Sequence, residues 1–289
     1  MFLMHIKENK VAVVTGSSSG IGYETALLLA RNGFFTFATM RNIEKSENIM
    51  ETTKKEGLQL QVIQLDVNDD ATVKNAIDKI VEEGKRIDVL VNNAGYGIFG
   101  ALEDLSIEEI KAQFETNFFG IIRVTQTVLP IMRNQKGGGT IVNIGSVGGQ
   151  AGVPMLSAYN STKFALEGLS ESMSYELEPF GIRMILIEPG FIKTNIMNSS
   201  VLAKKALDQK SPYYSMTQKI KNYFESMVNN PEASPPEAVA KVILEAINSD
   251  HMQLRFTVGN DASAIINAKR KMSDLDFTNL IKQQLKLKS

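Results

Sequence analysis

Seven short apolar runs punctuate the chain: VAVVTG, FFTFATM, LQVIQLDV, IDVLVNNAG, TIVNIGS, IRMILIEPG and, near the C-terminus, LRFTVG. They are rich in Val, Ile and Phe, and their hydrophobicity is nearly continuous rather than alternating. This pattern predicts parallel strands covered on both faces. Helical stretches lie between them. In residues 20–32, Ile21, Thr25, Leu28 and Leu29 fall on one side, and Gly33 stands where a C-terminal capping glycine belongs. SIEE, opening at Ser106, predicts a capping box with Glu109. SPPEAVAKVILEAI predicts a helix with Ser234 as N-cap and Pro235 in the first turn. Strand–helix alternation of this kind predicts a doubly wound α/β sheet with right-handed crossovers.

One stretch breaks the pattern. Residues 191–234 hold no strand signal, and their weakly helical segments break at Pro212 and Pro231. In this fold class an insertion after a strand's carboxyl end borders the ligand crevice, so a substrate lid is expected there. Residues 260–289 form a C-terminal extension.

Composition narrows the chemistry. The 31 basic and 32 acidic side chains leave a net charge of −1, which argues against a nucleic-acid binder. Without cysteine there is no disulfide, thiolate catalysis or Cys-ligated zinc. With His5 and His251 as the two histidines, no metal site is expected. Acid–base work then falls to Tyr, Lys, Asp or Glu. No apolar run reaches the roughly 20 residues that span a bilayer, and MFLMHIKENK turns polar too soon for a signal peptide. A soluble, cytoplasmic protein is expected. The C-terminal LDFTNLIKQQLKLKS, with Lys282, Lys286 and Lys288, reads as a surface helix or frayed tail in preference to a membrane contact.

Three features carry candidate chemistry. The first is TGSSSGIG, where a strand gives way to a helix. Gly16, Gly20 and Gly22 would let a backbone approach a pyrophosphate at a helix N-terminus, or would serve a tight turn. The second is Tyr159 and Lys163 in YNSTK, whose spacing of four puts both on one helix face. A tyrosine has an ordinary pKa of about 10. A neighbouring ammonium would lower it by about 1–3 units, making the pair a general acid–base. The third is Ser146, at the carboxyl end of a strand, which is suited to hydrogen-bond a substrate oxygen or to start a turn before Gly148.

TGSSSGIG, NNAG at 92–95, Asn117 in FETNFFG, Ser146, YNSTK and EPG at 188–190 together resemble the short-chain dehydrogenase/reductase family, from about Lys10 to Thr194. The resemblance implies a single Rossmann-like domain over 1–289, nicotinamide-dependent oxidoreduction and a homo-oligomer. It implies Tyr159 as acid–base, Lys163 as the residue that tunes it and holds the nicotinamide ribose, Ser146 as the substrate-orienting hydroxyl and Asn117 as holder of a relay water. It further implies cofactor contacts from Gly16, Ser18, Ser19, Gly20, Ile21 and Gly22 and from Asn93, Ala94 and Gly95. Asp66 and Val67 would lie at the adenine, and Pro189, Gly190, Ile192 and Thr194 at the nicotinamide end.

At the end of the second strand, Met40 stands where NAD-preferring proteins place an acid, and Arg41 follows. Arg41, aided by Ser17, Ser18 or Ser19, would bind a 2′-phosphate, so NADP(H) is expected over NAD(H). Candidate substrate walls are Tyr96, Ile98, Phe99, Val147, Val153, Met155, Leu156, Phe191, Ile196, Met197, Tyr213, Tyr214 and Met216, which favour an apolar carbonyl or alcohol. ATMRN, NNAGYGIFG and NFFG resemble the branch acting on steroids, retinoids and similar alcohols. Two alternatives remain: a 3-oxoacyl thioester reductase and a redox-silent NADP(H)-binding regulator.

Overall fold

The computed structural model describes residues 10–193 and 201–287. The N-terminal segment weighed as a signal, Thr194, Ile196, Met197 and Lys288 lie outside the described residues. Seven parallel strands form the central sheet: β1 (Val11–Val14), β2 (Phe35–Met40), β3 (Leu60–Gln64), β4 (Val89–Asn92), β6 (Gly139–Ile144), β7 (Ile182–Pro189) and β9 (Arg255–Val258). Their order is β3-β2-β1-β4-β6-β7-β9. It reverses at β1, which pairs on one side with β2 (Val13 opposite Phe37) and on the other with β4 (Val13 opposite Leu90). A crevice opens at such a switch point, beyond the carboxyl ends of the strands.

Continuous hydrophobicity in the strands has its reason in helices packed on both faces. On one face, Leu27 and Leu29 of α1 (Gly20–Arg31), Ile49 of α2 (Glu47–Glu56) and Val239 and Ile243 of α8 (Pro236–Asn248) are buried against the sheet. On the other face lie Ile77 and Ile80 of α3 (Asp70–Gly84), Val124 and Val128 of α5 (Gly120–Asn134) and Leu177 of α6 (Ser157–Leu177). Each fully buried aliphatic side chain stabilises the fold by about 1.5–3 kcal/mol. The predicted left-handed Gly33 follows α1, with φ +84°, and Ser106 and Glu109 close the capping box of α4 (Ile107–Phe114).

Two elements depart from the sequence reading, and the C-terminal extension takes one of its two alternatives. The insertion does contain a strand: β8 (Val201–Leu202) pairs in parallel with β5 (Ile98–Phe99). Two residues are too few for a hydrophobic pattern to register. Helix α8 starts one residue later than expected, with Pro235 as its N-cap. Pro236 disfavours a helical conformation before it, so Pro235 is extended (ψ 158°), and the Ser234 carbonyl accepts instead from the Lys193 N–H at 2.9 Å. The C-terminal extension forms α9 (Asn260–Lys271) and α10 (Asp274–Gln284). Rather than fraying, α10 buries Phe277 and Ile281 in a cluster with Phe99, Ile220 and Phe224. The last two belong to α7 (Tyr214–Val228).

Candidate active site

The loop between β1 and α1 is locked to the loop after β4. Asn93 Nδ2 donates to the carbonyls of Thr15 (2.9 Å) and Gly16 (3.1 Å). The Thr15 hydroxyl accepts from the N–H groups of Asn93 and Ala94 at 3.0 and 3.1 Å. Gly16 is left-handed (φ +69°), and a Cβ there would stand 2.9 Å from Ala94 Cα. Gly22 packs against Asn93 so closely that a Cβ would lie 2.4 Å from Nδ2. Two of the three glycines therefore answer to packing between loops as well as to space for a ligand.

The N-terminus of α1 remains open toward the cleft. Its N-cap, Ser19, makes no side-chain capping bond, and no acid lies in the first turn. Uncapped N–H groups at the positive end of a helix suit a pyrophosphate. The cleft above them measures about 790 Å³ and is lined by Ser18, Ser19, Gly20 and Ile21, by Arg41, by Asp66 and Val67, and by Asn93, Ala94 and Gly95. Pro189, Gly190 and Ile192 line its far end. The residues present thus fit a dinucleotide. Gly22 serves packing and does not line the cleft. Ser17 turns inward, its hydroxyl donating to the Val14 carbonyl at 2.8 Å, so Ser18 and Ser19 are the serines that face the cleft.

At the other end of the cleft, Ser146, Tyr159 and Lys163 converge. Ser146 leaves β6 in extended conformation, and its Oγ accepts from the Gly148 N–H at 3.0 Å. Tyr159 and Lys163 share a face of α6. Lys163 is 8% exposed; its ammonium donates to the Ile144 carbonyl at 2.7 Å and stands 5.8 Å from the centre of the Tyr159 ring. Burial pulls the Lys163 pKa down to about 8, opposed by the nearby Glu167 carboxylate. Tyr159 differs from expectation. Burial pushes its hydroxyl above its ordinary value, opposed by a hydrogen bond with Ser146.

Asn117 also differs. It is fully buried in a π-helical turn (Glu115–Phe119), behind Gly95 and outside the cleft lining. Its Nδ2 donates to the Tyr96 carbonyl (2.8 Å) and Thr162 Oγ1 (3.3 Å), and its Oδ1 accepts from the Tyr96 N–H (3.0 Å). The side chain is thereby committed to holding the segment after NNAG against α6.

An apolar pocket of about 130 Å³ adjoins the same end of the cleft. Ser146, Tyr159, Gly190 and Ile192 line both spaces. Of the predicted walls, Phe99, Val147, Val153, Leu156 and Phe191 line the pocket, whereas Tyr96 lines the cleft. Ile98 and Met155 are buried in packing, and Tyr213, Tyr214 and Met216 line neither space. Phe224 and Val228 of α7 and Ile265 of α9 complete the pocket. Sequence reading missed these because they sit on helices remote in sequence, where an apolar residue signals only core.

Two further features escaped the sequence. Met155, just before α6, is left-handed (φ +64°), a costly conformation for a residue with a Cβ. It delivers its carbonyl to the Gly100 N–H at 3.0 Å. Behind Lys163, Gln150 Nε2 donates to Glu167 (3.0 Å) and Glu188 (2.8 Å), while Arg255 donates to Glu167 at 2.8 Å. Burial raises the Glu167 carboxyl well above the usual carboxylate range. Among the described residues, no group of three or more acids or histidines could hold a metal, and no helix is long and apolar enough to cross a membrane.

A family model described as short chain dehydrogenase matches residues 10–205. Over 256 residues the chain is 42% identical to a Bacillus subtilis protein named uncharacterized oxidoreductase YusZ, with 86% of this chain and 89% of that one covered. It is 36% identical over 274 residues to retinol dehydrogenase 8 of Bos taurus, covering 90% and 85%. Among solved structures, a short chain dehydrogenase/reductase from Burkholderia phymatum in complex with NAD superposes with a TM-score of 0.80 at 25% identity, over 91% of this chain and 92% of that one.

Proposed function

Because the chain belongs to the short-chain dehydrogenase family, oxidoreductases that act on CH–OH groups with a nicotinamide cofactor, we propose that it transfers a hydride between NADP(H) and a carbonyl or secondary alcohol of a lipophilic molecule. The observation that carries this reading is the position of Tyr159, on the seam between the glycine-lined cleft and the apolar pocket.

The bound cofactor supplies or accepts the hydride. The protein's part is to orient and to move a proton. In reduction, the Tyr159 hydroxyl donates its proton to the developing alkoxide, and Ser146 hydrogen-bonds the same oxygen. In oxidation, the Tyr159 phenolate removes the hydroxyl proton. Lys163, which lines the cleft, would add positive charge near the phenolate and would hold the nicotinamide ribose. Asn117 acts from behind by fixing Tyr96 and Thr162.

NADP(H) preference rests on the end of β2. Met40 is 2% exposed and leaves no carboxylate to repel a 2′-phosphate, while the exposed Arg41 lines the cleft beside Ser18 and Ser19. The apolar lining from Phe99, Leu156, Phe191 and Phe224 supports a lipophilic substrate. The similarity to retinol dehydrogenase 8 favours the same class. A panel of NADPH-oxidation assays tests it: medium-chain and cyclic apolar ketones should give the highest kcat/KM. A higher value for 3-oxoacyl thioesters would favour a thioester reductase instead.

A further inference from the structure

Past residue 205 the family model no longer matches, yet helix α9 of the C-terminal extension reaches the site. Asp261, in its first turn, accepts the Phe191 N–H at 2.7 Å. Its carboxylate is seated between two glycines. A Cβ at Gly190 would lie 2.2 Å from Oδ2, and one at Gly259 would lie 2.4 Å from Oδ1. Both glycines thus leave room for this one side chain, and the left-handed Gly259 (φ +106°) supplies the bend that brings α9 into place. The negative charge sits at the favourable end of the helix.

The held segment is the partition of the site. Gly190 and Ile192 line both the cleft and the pocket, and Phe191 lines the pocket and packs at a tilt against Phe224 with ring centres 5.2 Å apart. A second tie holds it from the sheet, where Gly190 N–H donates to the Val258 carbonyl at 2.9 Å. We propose that Asp261 is a positioning residue for the redox reaction, fixing the turn at Gly190–Ile192 so that hydride donor and acceptor meet at the right distance. This rests on the function proposed above. A misplacement of about 1 Å at a reacting centre costs about a hundredfold in rate, and Asp261 is bonded to Phe191 without lining the cleft itself, so the loss should fall on kcat and spare cofactor affinity.

The test combines Asp261→Ala, Asp261→Asn and Gly190→Ala in the full chain, with Tyr159→Phe as reference. Readouts are NADPH affinity by titration, the emission maximum and intensity of bound NADPH, and kcat with an apolar ketone. Asp261→Ala should bind NADPH within about threefold of wild type, change the bound emission and lose about 10- to 100-fold in kcat. Asp261→Asn retains an acceptor oxygen for the Phe191 N–H and should recover most of the loss. Gly190→Ala should fail on its own, whereas combined with Asp261→Ala it should be no worse than Asp261→Ala, because the space is then free. Wild-type emission and kcat in Asp261→Ala, alongside an inactive Tyr159→Phe, would overturn the role of Asp261 alone. So would strictly multiplicative losses in the double variant. Turnover at the wild-type rate in Tyr159→Phe would instead overturn the reaction assignment.

Discussion

The amide of Asn93 fills the space that a side chain at residue 22 would need: its Nδ2 lies 2.4 Å from where a Cβ on Gly22 would stand. The same nitrogen holds the carbonyls of Thr15 and Gly16. The loop that faces the cofactor and the loop that ends β4 are therefore one packed unit.

Gly22→Ala should consequently damage stability and cofactor binding together. The new methyl also meets the Gly16 carbonyl, 2.5 Å away, so it cannot be relieved by a side-chain rotation. Overpacking of this kind costs about 1–3 kcal/mol. Thermal denaturation should show a drop of several degrees, at about 2–4 °C per kcal/mol, and NADPH titration should show weakened affinity. An unchanged melting temperature would mean that the loops separate easily.

Arg41→Ala should weaken NADPH binding by about tenfold or more, the worth of a charge-assisted hydrogen bond of about 1.5–3 kcal/mol. NADH affinity should stay within about twofold. Equal losses for both cofactors would remove the 2′-phosphate from the account of Arg41.

The pH dependence follows from burial. Lys163 loses its proton near pH 8 in the folded protein. Above that pH the phenolate left by a donating Tyr159 loses its neighbouring charge, so ketone reduction should fall as pH rises through about 8. In Lys163→Arg, whose guanidinium stays charged, the residual activity should keep its plateau to higher pH. For stability the sign is opposite. The folded chain favours neutral Lys163, so its burial is costly below about pH 8 and the cost is relieved as pH climbs toward the unfolded value of about 10.4. Chemical denaturation of wild type and Lys163→Met at pH 7 and 9 checks it: the difference between them should shrink at the higher pH.

Much of this architecture is legible in the sequence because its signals are local. Seven apolar runs become seven strands, and Ser106 with Glu109 forms its capping box, since each depends on near neighbours. The cleft residues from Ser18 to Ile192 were legible as spaced motifs. What was hidden depends on long-range packing. Asp261 reads as an ordinary helix-start acid until Gly190 is seen beneath it. Phe224 and Ile265 read as core until the pocket appears between them. The Tyr159 hydroxyl was expected to be acidified by Lys163, but only the folded chain shows that burial dominates and that the ammonium is occupied by Ile144.

The central claim is that Tyr159 moves the proton while the rest of the site binds and aligns. Tyr159→Phe removes one oxygen from a half-buried ring and leaves the glycine loop and Arg41 untouched. Its kcat for NADPH-dependent ketone reduction, measured beside its NADPH affinity, is the most direct test. The expected result is a fall in kcat of about 10²- to 10⁴-fold, with affinity within about threefold of wild type. A variant that turns over at the wild-type rate, or a wild-type protein that binds NADPH and reduces no ketone, would contradict it.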